Sequence, residues 1–240
     1  MWQPVTGGMS GDRVERRSGA YRKHTPYAEA EAQAASWLRA HGLPAAEVLE
    51  VGAGWLITRE VPGRSAADDW PQHCLHRVVD AVADLTVALH GLPVGDCPMD
   101  RRLVVTVPEA RAAVLAGRVD VTRVDPGRAG WTTDQRLAEL ERLTPEAQLN
   151  EQPAVTHGDW CLPNLILDPD RLVVTGIVDT GRTGRADRCV DLALMSRSLG
   201  AGDLNPQYGP ARVRRFLTRY GVSAAEHARL PFNRLLDEFF

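Results

Sequence analysis

Short hydrophobic runs broken by turns fill the first quarter of the chain, and a helical rhythm follows. Residues 14–17 and 20–23 read as two strands joined by a Ser18-Gly19 turn. Ala, Glu and Leu dominate residues 26–41, with Pro26 near the start and Gly42 just past the end, the pattern of a helix with a glycine stop. Residues 48–52 and 55–60 predict two further strands, the second halting at Pro62-Gly63. Beyond that turn, Leu75, Val78, Val79, Val82, Leu85 and Leu89 recur at helical spacing across residues 74–89. The pattern dissolves into Asp, Arg, Gly and Pro over residues 120–130, which predicts a loop, and resumes as a helix over 133–143. Residues 154–156, 165–167 and 172–178 are short apolar strands, after which 190–199 and 210–220 return to helix. The fold class is therefore α+β, with a small β-rich part over residues 1–62 and a larger, mainly helical part over residues 63–240.

Composition narrows the classes of function. With 240 residues, 44% of them hydrophobic and 25% charged, the chain can bury a sizeable core and is neither disordered nor fibrous. Twenty-eight Lys and Arg against 31 Asp and Glu give a net charge of −3, which argues against a nucleic-acid face and favours small-molecule partners. Cys74, Cys97, Cys161 and Cys189 are widely spaced with no C-x-x-C pair, so no disulfide framework or zinc ribbon is indicated. His73, Cys74 and His76 lack a fourth zinc ligand at a usual spacing. Eighteen uncharged apolar residues never follow one another, and residues 1–4 lead into a Gly-rich polar stretch rather than a signal peptide. A cytoplasmic protein without membrane contact is expected; the oligomeric state stays open.

The chemistry concentrates in one stretch, Thr156-His157-Gly158-Asp159-Trp160-Cys161-Leu162-Pro163-Asn164, followed fifteen residues after Asn164 by Asp179. A loop carboxylate, an amide five residues on and a second carboxylate at the end of the next hairpin can converge on one point. Phosphoryl transfer needs such a trio: one Asp accepts the proton of an attacking hydroxyl, while Asn and the second Asp offer hard oxygens to Mg²⁺. Upstream, Gly7-Gly8-Met9-Ser10-Gly11-Asp12 is neither a Walker A loop nor a G-x-G-x-x-G fingerprint, and Asp12 stands where a nucleophile elbow needs glycine.

His157-Gly158-Asp159 with Leu162-Pro163-Asn164, then Asp179-x-Gly181-Arg182-x-Gly184-x-Ala186-Asp187-Arg188 and Asp191-Leu192-Ala193, resembles the aminoglycoside phosphotransferase family, its 3′ and 3″ branches in particular. The tail, Arg234-Leu235-Leu236-Asp237-Glu238-Phe239-Phe240, is similar to the C-terminus of the 3′ enzymes. The resemblance implies a bilobal, protein-kinase-like fold and transfer of the ATP γ-phosphoryl group to a hydroxyl of an antibiotic, with ATP and Mg²⁺ as cofactors. It implies Asp159 as the catalytic residue and Asn164 and Asp179 as metal ligands. Lys23 would pair the ATP phosphates and Glu31 would hold that lysine, with Glu29 its rival by spacing. The backbone around Ser10 would cover the phosphates, and Arg59 C=O with Val61 N–H would read adenine. His157 and Asp191 would brace the loop. For the acceptor, the resemblance points to Trp160, Arg182, Asp237, Glu238 and the carboxylate of Phe240.

The match is poor over residues 120–153, and the family's acidic insert reads here, over residues 120–131, as arginines interspersed among few acids. That substitution weakens the attraction for a polycation. A less cationic acceptor, such as a capuramycin-like nucleoside antibiotic or a small metabolite, is the alternative, followed by a non-catalytic nucleotide-binding module and an interaction protein on the same scaffold.

Overall fold

A computed structural model describes residues 1–5, 12–122 and 124–240; Ser10 lies outside the described residues. The chain opens with β1 (Gln3–Pro4), β2 (Arg13–Arg17), β3 (Ala20–His24), α1 (Ala28–Ala40), β4 (Val48–Gly52) and β5 (Trp55–Arg59). These strands form one antiparallel sheet in the order β1-β2-β3-β5-β4. Gly19, at φ +74°, supplies the left-handed residue of the β2–β3 turn. Helix α1 buries Ala28, Ala32, Ala35 and Leu38, a face of small side chains on which Glu31 also lies.

After β6 (Arg64–Ser65) the chain is mainly helical: α2 (Leu75–His90), α3 (Leu103–Leu115) and α4 (Thr133–Leu149) precede β7 (Pro153–Thr156). Then come β8 (Leu165–Leu167), β9 (Val174–Ile177), β10 (Gly184–Asp187), α5 (Cys189–Gly200), α6 (Gly209–Tyr220) and α7 (Ala224–Asp237). β10 pairs with β7, and β6-β8-β9 form a small antiparallel sheet. Helix α2 buries Leu75, Val78, Val79, Val82 and Leu89, the stripe its spacing predicts. It is clamped to α6 by two forked ion pairs one turn apart, Arg215 on Asp80 and Arg219 on Asp84. No helix among the described residues is long and apolar enough to cross a membrane.

The segment joining the two parts is fixed by close packing. A Cβ on Gly63, at φ +144°, would collide with the Leu167 carbonyl oxygen, and the Val61 side chain lies directly on Gly176. The other edge of the β8–β9 hairpin bonds to the small lobe, Ala46 N–H to Ile177 O and Ile177 N–H to Pro44 O, both at 2.9 Å. One apolar core accordingly runs from Leu38, Leu43 and Ala45 through Val78 and Val155 to Leu192 and Phe216. A second cluster joins Leu103 and Val107 of α3, Leu140 of α4, and Leu235, Leu236 and Phe239 of the tail.

Three elements exceed the sequence pattern. Helix α3 carries a β-branched run with Pro108 inside it, and Val104 and Leu115 on its outer face are exposed, so no clean apolar stripe marks it. Helix α4 continues through Pro145 to Leu149 and starts at a Thr132/Gln135 capping box. Helix α7 starts at the equivalent Ser223/Glu226 box, and its last residue is Asp237.

Candidate active site

The loop after β7 carries Asp159. Gly158 precedes it at φ +80°, where a Cβ would collide with the Arg182 carbonyl oxygen, so only glycine lets the two segments approach. Asp191, fully buried in the first turn of α5, accepts the backbone N–H of His157 at 2.8 Å and of Gly158 at 2.9 Å. His90 Nε2 donates to the same carboxylate at 3.1 Å, and the Tyr220 hydroxyl lies 2.8 Å from His90 Nδ1. His157 Nε2 donates to Val178 O at 3.0 Å while its Nδ1 accepts the Asp159 N–H at 3.3 Å, a pairing that fixes the neutral tautomer. His157 and Asp191 thus hold the loop by hydrogen bonds and stay away from the cleft. Asn164 turns back on the loop, its Nδ2 donating to Asp159 O at 2.9 Å and Asp159 Oδ2 at 3.1 Å.

Asp179 follows β9 with φ 60° and ψ 51°, a left-handed backbone that aspartate tolerates better than most residues. Its Oδ1 accepts from Lys23 Nζ at 2.6 Å, and the same ammonium reaches Glu31 Oε2 at 3.0 Å and Asp12 Oδ2 at 3.5 Å. Between the two glutamates offered by spacing, the fold selects Glu31: it is 6% exposed beneath β3, whereas Glu29 faces outward. Burial works against the Lys23 charge, but Glu31 and Asp179 outweigh it and hold the ammonium above the usual lysine range. The Thr180 hydroxyl donates to Glu31 O at 3.0 Å and ties α1 to the turn after Asp179.

Arg59 ends β5 with its N–H on Glu47 O at 2.8 Å and its guanidinium on the Glu47 carboxylate at 2.6 Å. Val61 follows two residues later in the joining segment, packed on Gly176.

Two acceptor-site expectations are corrected. Trp160 is fully buried, and its indole N–H donates to Thr86 Oγ1 at 2.8 Å, so the ring fills the core instead of walling a pocket. Glu238 is 3% exposed and saturated: Oε1 accepts from Asp125 N–H at 2.9 Å and from Arg128 Nε and Nη2 at 2.9 and 2.5 Å, while Oε2 meets Arg136 Nη1 at 3.2 Å. The arginines of the divergent insert and of α4 consume this acid. Asp237 is likewise shared, Oδ1 with Arg182 at 2.7 Å and Oδ2 with Arg197 at 2.5 Å. Its burial raises the carboxyl, yet the two guanidiniums prevail and hold it below the usual carboxylate range. The Phe240 ring lies 5.5 Å from the Arg182 guanidinium carbon and 5.7 Å from that of Arg101. Arg101, Arg128, Arg136 and Arg197 carry no motif, and among them only Arg128 falls in the insert where arginines stand in place of the expected acids.

The two-lobed α+β architecture, with a lysine–glutamate pair under a five-stranded sheet and a catalytic-type loop below it, is that of the protein-kinase-like phosphotransferases. A model of the phosphotransferase enzyme family matches residues 2–232. The chain is 45% identical to an aminoglycoside 3′-phosphotransferase of Streptomyces fradiae over its whole length and 95% of that protein. It is 38% identical to the streptomycin 3″-kinase of Streptomyces griseus, over 98% of this chain and 91% of that one. Among solved structures, an aminoglycoside 3′-phosphotransferase of type VIII superposes with a TM-score of 0.88 at 40% identity, covering 100% of this chain and 93% of that one. The aminoglycoside phosphotransferase APH(3'')-Id of Streptomyces rimosus, in complex with ADP and streptomycin, superposes at 0.86 with 32% identity over 99% and 92% of the two chains. The chain belongs to the aminoglycoside phosphotransferase family.

Proposed function

We propose that this protein transfers the γ-phosphoryl group of ATP to a hydroxyl of an aminoglycoside-type antibiotic and so confers resistance in the cytoplasm. The observation that carries the reading is the approach of two pairs, Lys23 with Asp179 at 2.6 Å and Asn164 with Asp159 at 3.1 Å, tied together where Val178 N–H bonds to Asn164 O at 3.0 Å. Asp159 orients the acceptor hydroxyl and takes its proton. Lys23, kept charged and aimed by Glu31, holds nucleotide phosphates. Arg59 C=O and Val61 N–H read adenine. Residues 1–62 serve the nucleotide and residues 63–240 the acceptor, where Arg182, Asp237 and the Phe240 carboxylate border the site.

The donor set suits Mg²⁺. Asn164 commits its nitrogen to Asp159, which leaves Oδ1 for a cation, and Asp179 adds a carboxylate, both hard oxygens. Bound there, the ion would offset phosphate charge as the phosphoryl group moves. A second reading, a less cationic acceptor such as a nucleoside antibiotic, is favoured by one observation: arginines occupy the Asp237 and Glu238 side chains of the tail.

Mass spectrometry of an aminoglycoside and nucleoside panel, incubated with Mg²⁺-ATP, tests both readings. A single phosphoryl adduct on aminoglycosides is expected, with Asp159→Asn slowing transfer by about 10²–10⁴-fold while ATP affinity persists. Wild-type turnover by a folded Asp159→Asn protein would refute the assignment, and adducts on nucleosides alone would select the second reading.

A further inference from the structure

The Lys23 ammonium carries three N–H donors, and two are committed at hydrogen-bond distance, to Glu31 Oε2 at 3.0 Å and to Asp179 Oδ1 at 2.6 Å. One donor is left for a nucleotide phosphate. A third carboxylate already stands beside the ammonium: Asp12 Oδ2 lies 3.5 Å from Nζ, an ion pair longer than an ordinary hydrogen bond.

The strand pattern puts it there. Asp12 is one residue ahead of β2, and the two-residue alternation sends Arg13 and Glu15 to one face of the sheet and Asp12 and Val14 to the other. Val14 is the register partner of Lys23, so Asp12 lies along the lysine's own face. Arg13, its chain neighbour, bonds Glu15 at 2.8 Å, and Lys23 is the one cation ion-paired to Asp12 among the described residues. A single ammonium therefore faces three carboxyl groups. Glu31, with its side chain 8% exposed, is locked in place, and Asp179 can share its charge with Mg²⁺. Asp12 is 25% exposed at the side chain and is held by Lys23 alone, so a phosphate group that takes the last donor meets it as a like charge.

We propose that Asp12 competes with nucleotide phosphates for Lys23 and so sets the affinity of the site, loosening its hold on both ATP and ADP. The proposal rests on the reading of Lys23 as the phosphate-binding residue. Its test is calorimetric titration of ADP, with no acceptor present, into the wild type, Asp12→Asn, Lys23→Met and the double variant, each in Mg²⁺ and in EDTA.

Asparagine keeps the shape of Asp12 and removes its charge. Asp12→Asn should lower the ADP Kd by about three- to fivefold in both buffers, the worth of one partly exposed charge pair. In the Lys23→Met background the same substitution should gain less, because the ammonium it competed for is gone. An unchanged Kd in Asp12→Asn overturns the proposal. A Kd that rises in Mg²⁺ overturns it as well and makes Asp12 a metal ligand. An equal gain with and without Lys23 reduces Asp12 to a remote charge and overturns the competition. If Lys23→Met binds ADP as the wild type does, the reading of Lys23 falls and takes the proposal with it; a weakened Lys23→Met beside an unmoved Asp12→Asn fells the proposal alone. Should Lys23→Met fail to fold around the buried Glu31, the Asp12→Asn titrations decide by themselves.

Discussion

Replacing Glu238 by Gln separates a structural tail from an acceptor-binding one. Glu238 and Arg136 each have side chains 1% exposed and lie 3.2 Å apart, and Arg128, at 15%, completes the cluster. Glutamine keeps the shape but removes the charge, leaving Arg136 buried without a counter-ion. Breaking one side of a buried pair costs about 3–5 kcal/mol. At this chain length each kcal/mol moves the midpoint by about 2–4 °C, so Tm should fall by roughly 6–20 °C. Thermal unfolding followed by circular dichroism reads the loss. Acceptor KM, taken well below the transition, should change less than about twofold, because no Glu238 oxygen is left to meet a substrate. The triple variant Arg128→Met, Arg136→Met and Glu238→Leu should recover most of the loss, since apolar side chains of similar volume need no counter-charge. An unchanged Tm together with a several-fold rise in acceptor KM would refute this reasoning and return Glu238 to the acceptor site.

Trp160→Phe removes the hydrogen bond to Thr86 and leaves that hydroxyl half-satisfied; a stability loss of about 1–3 kcal/mol is expected by chemical denaturation, with acceptor KM unchanged. A tenfold rise in that KM would show the ring to face substrate. Burial pushes the Cys189 thiol up to about 12, so the thiolate is scarce at pH 8 and Cys189 should escape alkylation until the protein unfolds. Cys97, also buried and raised by desolvation, should behave alike. Peptide mapping that found Cys189 labelled in the native protein would contradict the packing around α5.

Local pattern carried strands β2 to β5, α1, α2 and strands β7 to β9 around Asp159, because those elements alternate with glycines and prolines at the turns; it carried neither β1 nor β10. It missed α3, whose exposed Val104 and Leu115 blur the apolar stripe, and α7, whose capping box went unread. Motif spacing brought Asp159, Asn164 and Asp179 to one place, since all three sit on backbone whose geometry the loop and hairpin dictate. It could not tell which way Trp160 and Glu238 turn. Those orientations depend on distant partners, Thr86 in α2 and Arg128 and Arg136 some hundred residues earlier, with no local signature.

The tight joint at Val61, Gly63 and Gly176, with the bonds from residues 44–46 to β9, gives the two lobes a single thermodynamic fate. Leu38 and Ala45 of the small lobe share their core with Val155 and Ile177, so the small lobe leans on the interior of the larger one. Architecture and cooperativity therefore divide this chain differently: two lobes by shape, one melting unit by energy. A chain severed at the joint would expose both halves of that shared interior.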